Sequence, residues 1–184
     1  MDFTAFSHGQ VHSKIWLCEQ LEPYITYNSR ILILGSWYNV LGSMLLNRKP
    51  RHYPCITGID HDCEAINIAN KLCEPWMIAP TPFITNICQD VNIFDSNGYN
   101  IIINCSCEHI EKDDWFYKIP KNTLVCLQSS DVCLTGKDWD IKNPNPTFDT
   151  FLNKYPLSTY LYKDQMLFNY PDIQYKRFML IGFV

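Results

Sequence analysis

The chain has 184 residues and a formal net charge of −4, enough for one domain with a sizeable core. It shows no run of basic residues of the kind that would mark a face for duplex nucleic acid. Hydrophobic residues make up 47% and charged residues 18% of the sequence, as in a folded soluble protein, and no apolar run approaches the ~20 residues of a membrane span. The polar N-terminus, with His8, His12 and Lys14, lacks a secretory signal pattern.

Residues 11–22 place Val11, Ile15, Leu17, Cys18 and Leu21 at helical spacing, and Pro23 marks the end of that helix. Ile31 to Leu34 is the first strand. Residues 38–47 read as a helix closed by Arg48-Lys49-Pro50, and 55–60 as the second strand. Asp62 is placed to cap a helix over 63–73, where Ala65, Ile66, Ala69 and Leu72 share a face. Pro75, Pro80 and Pro82 break the chain before a short strand near 83–87, and Asn97-Gly98 is a turn. Tyr99 to Asn104 reads as a buried strand, Asp113 to Tyr117 as a short helix and 123–128 as a fifth strand. The Pro- and Asn-rich segment 136–146 is a surface loop, Thr147 caps a helix from Phe148 to Lys154, and two strands near 157–162 and 175–183, joined by a loop, end the chain. The alternation of strands and helices implies a parallel sheet with right-handed crossovers, and the terminal strand pair adds an antiparallel strand.

Nine cysteines are odd in number and scattered, which argues against a full disulfide framework. Cys55, Cys88 and Cys126 lie in apolar runs and are expected as small hydrophobes. Cys105 and Cys107 form a C-x-C pair with no second pair at finger or ribbon spacing, so no metal site is expected. The pair reads as inert thiols, and the reducing cytoplasm is the expected compartment.

Two strand ends carry the chemistry. Ile31-Leu32-Ile33-Leu34 runs into Gly35-Ser36, and Cys55-Ile56-Thr57-Gly58-Ile59 ends on Asp60. A glycine turn lets a backbone approach a ligand, and a carboxylate at the next strand end can take ribose hydroxyls. This is the front half of a nucleoside-binding α/β domain.

With its element order, the chain resembles the class I S-adenosylmethionine-dependent methyltransferases over nearly its whole length. The segments SHGQ-x-HSKIWLCEQLE, ILILGSWYNVLG, NCSCEH and KRFMLIG are also similar to those of small methyltransferase-like proteins of bacteriophages. The resemblance implies a Rossmann-like α/β fold: a seven-stranded, mostly parallel sheet, its last strand antiparallel beside the fifth, with helices on both faces. One domain would span 1–184, with residues 1–29 forming a helical segment over the cofactor site and 30–184 the core. The implied cofactor is S-adenosyl-L-methionine. Gly35, Ser36, Trp37 and Tyr38 would form the loop under its methionine moiety. Asp60 would bind the ribose, with His61 beside the adenine and Asp90, or Gln89 instead, at the adenine amino group. Asn104 matches the first position of the motif after the fourth strand that faces methyl group and acceptor, but the prolines that follow in amino-methylating members are missing here, a departure that puts base N-methylation in doubt. Gln10, Ser13 or Lys14, in the N-terminal segment, would reach the methionine carboxylate, for which an ammonium is a suitable partner; the structural alternative is a capped surface helix with an exposed lysine.

Methyl transfer from a sulfonium needs positioning, exclusion of water and, for a protonated nucleophile, a proton acceptor. Glu108 and His109, with Asn104, are the catalytic candidates; the structural alternative is that Glu108 pairs and His109 bonds a backbone group. Trp37 and Tyr38 form a lid or pack, and Gln128, Ser129 and Ser130, at the fifth strand's end, are candidates for acceptor binding. The acceptor is expected to be a small molecule or protein side chain rather than duplex DNA or a membrane; the oligomeric state is open. Two alternatives stand beside this reading: a nucleotide-dependent oxidoreductase, against which the missing G-x-G-x-x-G counts, and a cofactor-binding module without catalysis.

Overall fold

The computed structural model describes residues 2–48, 54–78, 82–137, 139–171 and 173–184. Seven strands, β1 (Arg30–Leu34), β2 (Cys55–Asp60), β3 (Ile84–Cys88), β4 (Ile101–Asn104), β5 (Leu124–Ser130), β6 (Thr159–Tyr170) and β7 (Ile173–Phe183), form one sheet in the order β3-β2-β1-β4-β5-β7-β6. The first five pair in parallel, and β7 runs antiparallel to both β5 and β6. The expected sheet, with its reversed last strand beside the fifth, is therefore present. Among the described residues, five α-helices flank it: α1 (His8–Leu21), α2 (Val40–Arg48), α3 (Cys63–Met77), α4 (Asp114–Tyr117) and α5 (Phe148–Lys154). Among the described residues, no helix is long and apolar enough to cross a membrane.

Period-two alternation divides the strands between two cores. Ile31, Ile33, Ile101, Ile103 and Cys126 face Leu17 and Leu21 of α1 and Leu41 and Leu45 of α2. Leu32, Leu34, Ile102, Val125 and Leu127 face Trp115 and Phe116 of α4 and Phe151 of α5. Both faces of the parallel strands are thus covered, which is why β1 and β4 read as unbroken apolar runs.

Several boundaries differ from the sequence reading. α1 begins at His8, with Pro23 in the 3-10 turn that follows it, and α3 continues through Pro75 to Met77. The expected loop between the last two strands is strand: β6 and β7 form a long hairpin paired from Thr159↔Phe183 to Tyr170↔Ile173. Alternating Phe168, Tyr170 and Tyr175 pack on one another in its outer half, so aromatic pairing sustains the strand. Cys55 and Cys88 are exposed rather than buried. Cys88 is bonded to Cys63, with Cα atoms 5.1 Å apart, and this joins the end of β3 to the first residue of α3. Lys49, Pro50 and Pro80, read as breakers, lie outside the described residues.

Asn39 organises the start of α2. It is fully buried with φ +49°; its Oδ1 accepts from Gly42 N at 3.1 Å, and its Nδ2 donates to Asn86 Oδ1 on β3 at 2.7 Å. A side chain at Gly42 or Gly58 would collide with the Asn39 amide, so both glycines make room for it. Asn39→Ala removes the cap and orphans Asn86; a loss of about 2 kcal/mol is expected in urea denaturation, with Asn39→Gly, which tolerates the positive φ, recovering part of it.

Cys18 is fully buried on α1, and burial pushes its thiol up to about 12; burial raises the Cys107 and Cys126 thiols as well. In the folded chain these thiols stay protonated while those of the unfolded chain ionise, so above the ordinary thiol value of 9.0 the unfolded state binds fewer protons. Stability is therefore expected to fall as pH rises from about 9 towards about 11, Cys18 contributing up to about 1.4 kcal/mol per pH unit. Urea titrations across this range test the fall, and Cys18→Val should reduce its slope by one proton.

Candidate cofactor and acceptor site

The carboxyl ends of β1, β2, β3, β4 and β5 lie along one edge of the sheet, as parallel pairing requires. At the end of β1, Gly35 turns the chain with φ +62°, and Ser36 N donates to Ile59 O at 2.9 Å. Asp60, 8% exposed, holds the edge together. Its Oδ2 accepts from Trp37 N at 2.8 Å, its Oδ1 accepts from Asp62 N at 3.0 Å, and His61 Nδ1 lies 3.5 Å from Oδ1. Each carboxylate oxygen has a second lone pair for a further donor.

The loop residues divide in their roles. Tyr38 is buried and its hydroxyl accepts from Asp2 N at 2.8 Å. It packs with Ala5 and Ala65, so it is a packing residue and not a lid. Trp37, half-buried, stacks on Tyr38 with ring centroids 4.7 Å apart. The Ser36 hydroxyl is buried without a partner. Of the two adenine candidates, Asp90 is exposed and its Oδ1 closes its own turn onto Asn92 N and Nδ2, at 2.8 and 3.2 Å. Gln89 is the one beside Asp60, its N donating to Asp60 O at 2.9 Å. His61 is largely exposed on the same turn.

At the end of β4, Asn104 is fully buried; its Oδ1 accepts from Ser106 N at 2.9 Å, and its Nδ2 has no partner. Ser106 Oγ lies 3.5 Å from Gly35 O, bringing the loops after β1 and β4 together. Glu108 does not present a free carboxylate. It is 1% exposed, its Oε1 accepts from Ser130 Oγ at 3.0 Å, and Arg177 NH1 lies 3.5 Å away. The pairing alternative thus describes Glu108, because its backbone turns into a 3-10 turn that folds the side chain under β5 and β7. His109 is half-exposed, with Nδ1 3.1 Å from Asp140 O; the Nδ1–H tautomer makes that bond and leaves Nε2 as an acceptor.

On α1, Lys14 Nζ donates to Gln10 Oε1 at 2.6 Å, and burial lowers its ammonium below the usual lysine range. Ser13 Oγ donates to Gln128 Oε1 at 3.0 Å, and Gln128 Nε2 donates back to Ser13 O at 3.2 Å. Ser13 and Gln128 therefore dock α1 on β5, and Ser129 Oγ accepts from Asn145 Nδ2 at 2.8 Å. Sequence reasoning missed Arg177. Its signal was present: Tyr175, Arg177 and Met179 share the parity of buried β7 positions, and an arginine in that series needs a buried partner.

A sheet of this order, with β7 reversed between β5 and β6 and helices on both faces, is the class I methyltransferase fold. No protein-family model and no curated protein sequence matches the chain. Solved structures match it over most of its length: the N-methyltransferase NodS from Bradyrhizobium japonicum WM9, at 16% identity and a TM-score of 0.69, covering 94% of this chain and 96% of that one; the MccD protein, at 11% and 0.70, covering 96% and 98%; and the magnesium protoporphyrin IX methyltransferase ChlM from Synechocystis PCC 6803 with bound SAM, at 8% and 0.64, covering 95% and 79%.

Glu108→Ala leaves the Arg177 guanidinium buried beside no carboxylate. Thermal and denaturant unfolding should show a loss of about 3–5 kcal/mol, with Glu108→Gln, which still accepts from Ser130, losing less.

Proposed function

We propose that the protein is an S-adenosylmethionine-dependent methyltransferase acting on a small molecule or a protein side chain. The observation that carries this reading is the fixed Asp60 carboxylate at the end of β2 in a class I methyltransferase fold. The residues at the edge fit the cofactor. Asp60 is oriented by two backbone N–H groups and keeps lone pairs for ribose hydroxyls, and two enclosed polar atoms without partners, Ser36 Oγ and Asn104 Nδ2, stand at the ends of β1 and β4. When bound, the cofactor supplies an electrophilic methyl group on a sulfonium.

The chain's own residues have the following roles in this reading. Asp60 binds the ribose diol and Gln89 the adenine edge. Asn104 Nδ2 donates a hydrogen bond beside the reacting groups. His109 Nε2 takes the acceptor's proton, its ring oriented by Asp140 O; the loop that carries Asp140 is tied down because Lys142 N and Asn143 N both donate to Glu108 O at 3.0 Å. The net charge of −4 supports a small or protein acceptor over duplex nucleic acid. Seven free cysteines support a reducing, cytoplasmic setting. The narrower likeness to phage proteins rests on the four sequence segments given above.

Calorimetry with S-adenosylhomocysteine tests the reading. Wild type should bind it, Asp60→Ala should lose at least about tenfold in affinity, and His109→Ala should keep its affinity while losing methyl transfer. Binding of NAD in place of S-adenosylhomocysteine, or an unchanged affinity in Asp60→Ala with its circular dichroism intact, refutes it.

A further inference from the structure

Beyond β5, a second set of polar groups is enclosed between α1 and the β6–β7 hairpin. Arg177 on β7 is 7% exposed, Glu108 1% and Lys14 8%. Arg177 NH2 donates to Cys105 O at 2.8 Å, just after β4, while its Nε has no partner; Glu108 Oε2 and the Tyr170 hydroxyl are likewise buried and unpartnered. The Tyr175 hydroxyl lies close by, since a Cβ built on Gly9 would be 3.1 Å from it and 3.5 Å from the Tyr170 hydroxyl. The cluster thus gathers groups from α1, the turn after β4, and both strands of the hairpin.

The Arg177 guanidinium stands beside the Glu108 carboxylate, which offsets its charge, and any further buried charge without a partner is costly. Burial depresses the Lys14 ammonium and the nearby Arg177 depresses it further; Arg177 also acts on the titration of Tyr170 and Tyr175, whose phenols burial raises. A guanidinium with an unpartnered Nε–H and a phenol without an acceptor are complementary to an oxyanion. With the Glu108 carboxylate already beside the guanidinium, a monoanionic carboxylate is accommodated at lower cost than a phosphate dianion. The β7 backbone lies three strands from β1 in the order β1-β4-β5-β7, and the Arg177 side chain reaches back to the turn after β4, the position given above to the acceptor.

We propose that this cluster recognises a carboxylate on the methyl acceptor, with Arg177 as its main partner and the Tyr170 hydroxyl as a second donor. The inference rests on the methyltransferase reading for the word acceptor, and on the cluster alone for the carboxylate. The first turn of α1 covers the cluster, with Gly9 close to the two phenols.

The test uses benzoate, with benzamide as its neutral isostere and inorganic phosphate as the dianion, added at constant ionic strength to the full chain while the melting temperature and tryptophan fluorescence are followed. Benzoate should raise the melting temperature and benzamide should not. Tyr170→Phe should weaken benzoate binding at least fivefold without lowering the melting temperature of the free protein, because that hydroxyl holds nothing in the fold. Arg177→Lys should weaken it further; if that variant fails to fold, Tyr170→Phe still decides. Equal responses to benzoate and benzamide, a stronger response to phosphate, or an unaltered benzoate affinity in Tyr170→Phe overturns the carboxylate site. Calorimetry with S-adenosylhomocysteine on the same preparation separates the two readings. Cofactor binding without benzoate discrimination overturns this site alone, and benzoate discrimination without cofactor binding upholds the site and overturns methyl transfer.

Discussion

A carboxylate at the end of a buried strand needs hydrogen-bond donors, and the way Asp60 obtains them shapes the edge of the sheet. Its two oxygens take backbone N–H groups from opposite sides, Trp37 in the loop after β1 and Asp62 at the start of α3. Two loops with no sequence continuity are thereby locked in register. The same residue that keeps a free lone pair on each oxygen also fixes the loop after β1. Charge-assisted bonds of this kind are short and directional, so the loop after β1 keeps its path with Gly35 as its single glycine.

Space for that path comes from residues that are small for steric reasons. Gly42 and Gly58 lie against the Asn39 amide, which links α2 to Asn86 on β3, and Asn86 Nδ2 passes the chain on to Asn70 Oδ1 at 3.1 Å. An amide relay thus crosses three elements beneath the strand ends. The Gly42 N–H and the Asn39 and Asn86 amides each donate to the next member, and satisfied buried networks of this kind add rigidity.

The other half of the edge is built differently. The reversed β7 brings Arg177 level with Ser130, and α1 closes over both through Ser13 and Gln128. Here the polar groups are only partly satisfied. Unpartnered buried groups stand in both halves of the edge, Ser36 Oγ and Asn104 Nδ2 at the ends of β1 and β4 and Arg177 Nε and the Tyr170 hydroxyl beside the hairpin.

Local pattern was enough for the fold class: the apolar runs at 31–34 and 101–104, the Asp62 cap and the terminal strand pair each signal an element through forces acting within a few residues. Position was enough for Gly35, Asp60 and Asn104, because in a parallel sheet strand ends share one edge. The roles of Glu108, Tyr38, Asp90 and Arg177 were not legible this way, since each depends on a partner 22 to 69 residues distant or on competition from its own turn. Likewise, the long β6–β7 hairpin depends on aromatic contacts across strands, and the Cys63–Cys88 bond on the meeting of a helix start with a strand end. The sequence by itself determined which elements form and which residues stand at their ends; only the tertiary structure decided which of those polar ends are bonded and which remain unpartnered, because burial makes each hydrogen bond obligatory and the chain's path alone selects the partner.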